Sequence, residues 1–457
     1  MDVKSGHFRA RRWICRGVLL LCNLVLAAHG PGSLQAEEAQ SRDPEVERRF
    51  KALEERNQKL EERNDKLEAR VGELESNKAA AGSAGADTDG FSFDEERPGL
   101  GMVARYGQVE ATFQVFGDVG FRYQNPAPPA QSNSSFFFGS LDLFATAQVA
   151  ERLHLVSESL IRPAGGSIGI NQERLWGAWT FADALFVKLG TEHTPTSRWI
   201  RTYHHGKWLE PSIDRPFLAR FEGNDGFLPI HYAGVEVGGS VDLGFGRVDY
   251  IGIVSNGRGI TPEDRQVLSD RNNAKAFDAH LAFSPACLSS LHVGGALRAD
   301  DIPASPSSGW TRSIREIIGS SFVELRTGPL EALGDAQVEA IAEVAYVENK
   351  VRSSDSTFQH HSWYAQVGYR INNAWMPYAR FDSRSMERND PFFASFSDSS
   401  KDRDLDKWEQ VLGVRYDFST NAALKVELVL GREERRDGAE TSKKDFVSVA
   451  MQLAWVF

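Results

Sequence analysis

The sequence is poor in cysteine: it has three, and two of them, Cys15 and Cys22, fall within the first 36 residues. Beyond that point only Cys287 remains, so an internal disulfide framework is excluded. Long apolar runs are also missing. Past residue 36 no stretch approaches the roughly 20 consecutive apolar residues that a membrane-spanning helix needs. If the chain crosses a membrane it must do so as a closed barrel, the other architecture that satisfies every backbone polar group in lipid. Positive charge is in deficit, with 52 Lys and Arg against 63 Asp and Glu for a net of −11. Setting aside residues 1–36, which hold five Lys or Arg and one Asp, lowers this to −11 − 4 = −15. A surface of that sign disfavours nucleic acid as a partner. Gly-x-Ser-x-Gly, His-Glu-x-x-His and glycine-rich phosphate loops are absent as well. No catalytic residue, cofactor or metal is therefore assigned, and an enzyme is not expected.

What is present begins with an export signal. Arg9, Arg11, Arg12 and Arg16 precede the short apolar run 17–28, and Ala36 ends "SLQA" before an acidic stretch, so 1–36 reads as a signal peptide. In 43–78, Val46, Leu53, Leu60, Leu67 and Leu74 recur every seven residues. Phe50, Asn57, Asn64 and Val71 repeat at the same interval, three residues before successive leucines. Two interleaved heptad series flanked by Glu, Lys and Arg predict a coiled coil, with Asn57 and Asn64 setting register at some cost in stability. Residues 79–106, opening on "AAAGSAGADTDG", are expected to be a flexible linker.

From residue 107 to 457 the pattern changes to short segments of period two. Leu141, Leu143, Ala145 and Ala147 alternate with Asp142, Thr146 and Gln148, and Leu424, Val426, Leu428 and Leu430 oppose Lys425 and Glu427. About 16 such segments can be marked, separated alternately by tight turns (151–152, 182–183, 372–374, 419–421) and long polar stretches (192–230, 256–274, 384–406, 433–444). An even strand count, one rim of short turns and one of long loops, with aromatics such as Trp375, Trp408 and Phe418 near strand ends, predict an all-β fold. The expected architecture is a transmembrane antiparallel β-barrel of about 16 strands preceded by the coiled coil. A two-layer sandwich would need a second layer, which no amphipathic helical segment after residue 90 supplies. Inward charges Lys188, Arg298, Arg370, Arg380, Arg415, Lys425, Glu339, Glu343 and Glu427 are expected to line a water-filled lumen.

The last residues, "VSVAMQLAWVF", alternate to the final phenylalanine. Trp455 and Phe457 resemble the carboxy-terminal signature of outer-membrane barrels, which implies recognition by the barrel-assembly machinery. Signal, coiled coil, linker and barrel together resemble trimeric outer-membrane porins with a periplasmic coiled coil, of the sucrose and dicarboxylate types. "LGTEHTPTS" (189–197) is loosely similar to the phosphate-selective porin group. The resemblance implies a homotrimer in outer-membrane lipid, with the coiled coil in the periplasm, passing small hydrophilic solutes. It also implies that the long loop 191–232 folds inward to narrow the pore. There Arg198, Arg201, His204, His205 and Lys207 come first and Glu210 and Asp214 after, so the loop could present opposite signs to opposite walls and set selectivity. The contrary expectation is a rim loop whose charges pair internally. His193, His204, His205 and His231 fall in this segment without cysteine, and His360 and His361 are expected at a loop rim. The alternative function is a structural tether, the coiled coil reaching the cell wall and the barrel serving only as anchor.

Overall fold

Period-two alternation produces strands because successive side chains of an extended backbone point to opposite faces. In the computed structural model this pattern closes on itself. The structure describes residues 92–94 and 101–457, except 108, 127–131, 165–166, 204–205, 221–225, 261–269, 271–272, 306–310, 331–332, 334–335, 388–389, 395–405 and 438–439. The expected signal peptide and coiled coil lie outside the described residues. Within the expected linker, two short strands form: β1 (Ser92–Asp94) pairs with β2 (Met102–Tyr106), and β2 pairs with the start of β3.

Sixteen strands then make the barrel: β3 (Val109–Asn125), β4 (Ser134–Ala150), β5 (Leu153–Ala164), β6 (Ser167–Ala182), β7 (Leu185–His193), β8 (His231–Asp242), β9 (Gly246–Ser255) and β10 (Ala276–Pro285), followed by β11 (Leu291–Ile302), β12 (Ile314–Arg326), β13 (Gln337–Val351), β14 (Thr357–Arg370), β15 (Trp375–Met386), β16 (Lys407–Ser419), β17 (Ala422–Asp437) and β18 (Glu440–Val456). Each is antiparallel to its neighbours, and β18 closes onto β3 from Val447 opposite Asn125 to Val456 opposite Phe116. The terminal residue joins the ladder too, since Phe457 N donates to Val115 O (3.0 Å) and Phe457 O accepts from Val115 N (2.7 Å). A closed sheet has no free edge, which is why an apolar alternation can run to the last residue. On β18, Val447, Val449, Met451 and Leu453 are exposed outward, while Ser448, Ala450, Gln452 and Ala454 are buried inward.

One rim carries mostly tight turns, among them 151–152, 183–184 and 420–421; the other carries the long connections 194–230, 256–275 and 387–406. The polar stretch 433–444, expected as a loop, is instead a ladder from Glu433 opposite Lys444 to Asp437 opposite Glu440. The Arg432–Asp445 ion pair beside it shows how opposite charges on facing residues support a strand despite polar composition. Inside the long-loop half of the barrel sits an apolar core, where Trp199, Ile200, Leu218 and Phe227 meet Ile302, Ile318 and Tyr364 of the wall.

Candidate functional site

The segment after β7 leaves the sheet and enters the barrel. Within β7, three residues before its end, Gly190 has φ +141°, and a Cβ there would stand 2.1 Å from the Leu175 carbonyl oxygen. Thr194 then ties the two ends of the segment together, its N–H donating to Ile230 O (2.8 Å) and its hydroxyl to Pro229 O (2.5 Å). A short helix, α1 (Arg198–Tyr203), follows. Its first N–H groups are satisfied from the wall: Arg198 N and Trp199 N donate to the Glu343 carboxylate of β13 at 2.7 and 2.8 Å. An acidic group at a helix start answers both the unpaired donors and the local positive field.

The segment is held across the lumen mainly by its backbone. Lys425 Nζ on β17 donates to the carbonyls of Lys207 (2.5 Å), Glu210 (2.7 Å) and Ser212 (3.2 Å). Arg415 on β16 donates to Trp208 O (2.7 Å) and Glu210 O (3.1 Å), and Arg380 on β15 to Asp214 O (2.7 Å). In return, Ile213 N donates to Glu427 (2.7 Å) and Phe217 N to Asp382 (3.2 Å). Further along the same wall, Arg122 of β3 grips the Asp214 carboxylate at 2.7 and 2.8 Å. Burial works to raise the Asp214 carboxyl, but the Arg122 and Arg220 charges and the Arg122 hydrogen bond outweigh it and hold it well below the usual range.

Of the expected constriction residues, Arg198 pairs with Glu324 (2.7 Å) and Arg201 with Glu236 (3.1 Å), both on the wall. Burial opposes the Arg201 charge, yet Glu236 and Glu192 leave its pKa raised. Burial also pushes the Tyr203 hydroxyl up to about 12, against the pull of Arg326. Lys207 and Glu210 do not stand on opposing walls: they bond each other at 2.6 Å, and Arg215 adds a second contact to Glu210 at 2.8 Å. The separation of signs along the sequence is undone because an i,i+3 pair is closer than any wall group. His204 and His205 lie outside the described residues.

The expected lining residues divide in two. Arg380, Arg415, Lys425, Glu343 and Glu427 bind the segment, as above. Lys188 pairs with Glu236 (3.0 Å), Arg298 with Asp278 (2.7 Å), and Arg370 with Glu339 (2.7 Å) and Asp417 (2.8 Å). The expected lining did not name Arg122, Glu236, Glu324, Asp382 and Glu409, although all five sit on the polar face of alternating strands, and alternation alone put Arg122 and Glu409 there. Sequence reasoning also missed Arg258, which donates to Glu316 (2.6 Å) and Phe227 O (2.7 Å) and lies over the Phe392 ring. His360 is not at a rim: it is buried on the inner face of β14 and bonded to Asp390 (2.7 Å), which holds the start of α2 (Pro391–Ala394) through Phe392 N (2.8 Å). His193 and His231 face each other with ring centroids 5.2 Å apart, beside Glu192 and Glu173 respectively.

Two cavities flank the segment. One of about 450 Å³ lies against β3, β16 and β18, lined by Arg122, Lys207, Arg220, Lys407 and Phe446. The other, of about 700 Å³, lies against β8 to β12, lined by Arg198, Arg201, Arg247, His280 and Phe322.

A closed 16-strand antiparallel barrel defines the fold, and solved structures share it. The chain is similar to the anion-selective porin from Comamonas acidovorans, with a TM-score of 0.53 and 12% identity over 77% of this chain and all of that one. It is similar as well to OmpF of Salmonella typhi in complex with daunomycin, with a TM-score of 0.51 and 9% identity over 76% of this chain and 98% of that one. At such identity the likeness is one of fold. No family model matches the chain, and no curated protein matches it.

Proposed function

We propose that this chain is an outer-membrane porin, in which small hydrophilic solutes diffuse passively through a water-filled barrel narrowed by segment 191–232. The observation that carries this reading is the pinning of the segment to β3, β8, β13 and β17 with cavities of about 450 and 700 Å³ still open beside it. A barrel serving only as an anchor for a cell-wall tether would have no use for that space. Residues Arg198, Arg201, Lys207, Glu210 and Asp214 then border the narrow region, with Lys425, Arg415, Arg380, Glu343 and Glu427 holding it in shape.

The outer surface supports a membrane setting. Phe136, Ile170, Leu189 and Leu297 stand exposed on the outer face, and apolar surface of that extent is stable in hydrocarbon rather than water. Two aromatic bands bound it: Trp375 stacks on Tyr416 (4.2 Å), and Trp363 on Phe381 (5.1 Å) beside Trp408. Eight residues separate Trp408 from Tyr416, which at a strand tilt near 40° is about 20 Å, close to the height of a lipid-facing belt. The resemblance adds a homotrimer, a periplasmic coiled coil and recognition of Trp455 and Phe457 by the assembly machinery. The purified protein in a planar bilayer should give discrete, ohmic conductance steps. A barrel that shows heat-modifiable gel mobility yet passes no current would refute the porin reading and leave the tether.

A further inference from the structure

Among the described residues most charges of the in-folded segment meet an opposite charge. The accessibility of the two signs is not equal. The Arg198 side chain is 31% exposed and its partner Glu324 only 2%; Lys207 is 25% exposed and Glu210 fully buried; Arg201 is 20% exposed and Glu236 1%. Arg220 and Glu409 follow the same order, at 17% and 7%. The reason is architectural. Arg198, Arg201 and Arg220 belong to the in-folded segment, while their carboxylates belong to the wall beneath it, so the cation comes between the acid and the water. Lys207 reaches the same result within the segment, because Glu210 is tucked under it. Asp214, 34% exposed against 36% for Arg122, departs from the pattern, as do Glu339 beside Arg370 and Asp417 beside Arg415, each more exposed than its cation.

We infer that the passage prefers anions, and that the 450 Å³ cavity is a binding site for small organic anions with an apolar body. This rests on the porin reading. Ion pairs of the in-folded segment that turn their positive end to a water-filled cleft with low-dielectric walls raise the local concentration of anions, whatever the sum over the chain. That sum is −11, so the preference runs against composition. The cavity adds the second half of the recognition: Leu160, Val429 and Phe446 line it, and its five cations, Arg122, Lys207 and Arg220 among them, outnumber its two carboxylates, Asp214 and Glu409. A cleft of this volume with an apolar floor and cationic sides matches a carboxylate carried on a ring or short chain.

The test uses the full chain in a planar bilayer. Under a tenfold potassium chloride gradient the reversal potential should carry the sign of chloride preference. Benzoate added at millimolar level should then interrupt the chloride current, and benzylammonium, its cationic counterpart in shape, should not. Arg220→Gln should raise the half-blocking benzoate concentration about tenfold, the loss of one charge-assisted contact, and Arg220→Lys should restore most of the block. Conductance with no preference or with cation preference overturns the inference while leaving the porin reading intact. Chloride preference with equal block by benzoate and benzylammonium overturns the binding site. Absence of conductance from a folded barrel overturns the porin reading and this inference with it.

Discussion

Lys425→Met tests whether the segment inside the barrel is held by its backbone contacts to the wall. Methionine keeps the length and apolar stem of lysine and removes its three donors. The carbonyls of Lys207, Glu210 and Ser212 then lose a shared cationic partner. Hydrogen bonds to a charged group contribute about 1.5–3 kcal/mol each, but desolvating the fully buried ammonium offsets much of that. A net loss of about 1 kcal/mol per carbonyl, about 3 kcal/mol together, is the reasonable expectation. At 1.4 kcal/mol per factor of ten this shifts the balance between pinned and released segment about a hundredfold. Arg415 and Arg380 remain, so the segment should stay in place on average but leave it more often. Two readouts follow: excess noise in single-channel current, and tryptic cleavage after Lys207, which tracks the open population when reclosing is fast. Lys444→Met, exposed near the long-loop rim, is the control. Unchanged noise and unchanged cleavage in Lys425→Met would show that the apolar core around Trp199, rather than the wall cations, fixes the segment.

Leu453 faces outward on β18, four residues from Phe457, or about 10 Å along the barrel axis and so near the middle of the apolar belt. Leu453→Arg should cost about 2–4 kcal/mol of stability in reversible unfolding in lipid or detergent. Gln452→Arg, inside and beside Asp118, should cost less, and equal losses would refute the assignment of faces. For Asp214 the depressed pKa means that the Arg122 link is fully present above the unfolded value near 3.9 and is lost only as pH falls through the lower folded value. Channel noise should therefore stay flat from pH 7 to about 4 and rise below, whereas Asp214→Asn should be noisy throughout; a rise near pH 5 in wild type would contradict this. Deleting 43–78 should leave a barrel that still inserts and shows heat-modifiable mobility, because its hydrogen bonds close without that segment; failure to insert would refute the division into two modules.

The strands, their two faces, the approximate strand number and the terminal closure were legible in the sequence, because each depends on local alternation. A strand's faces are set by neighbours one and two positions away, so Val449 and Leu453 could be placed outward and Ser448 and Gln452 inward without any knowledge of partners. The charged inner faces were legible for the same reason. What those charges do was not. Lys425 lies 218 residues from Lys207, and Arg415 lies 205 from Glu210, yet these contacts decide that the lysine and arginine hold a segment rather than face solute. The same distance hid the unequal exposure of the two signs, since a carboxylate on the wall and an arginine on the segment become partners only when the barrel closes around both. The stretch 433–444 failed for the complementary reason: composition marked it as loop, and the pairing of β17 with β18 made it strand. Periodicity is a property of the chain, whereas the choice of which charge meets water belongs to the closed barrel, where groups far apart in sequence compete for the same space.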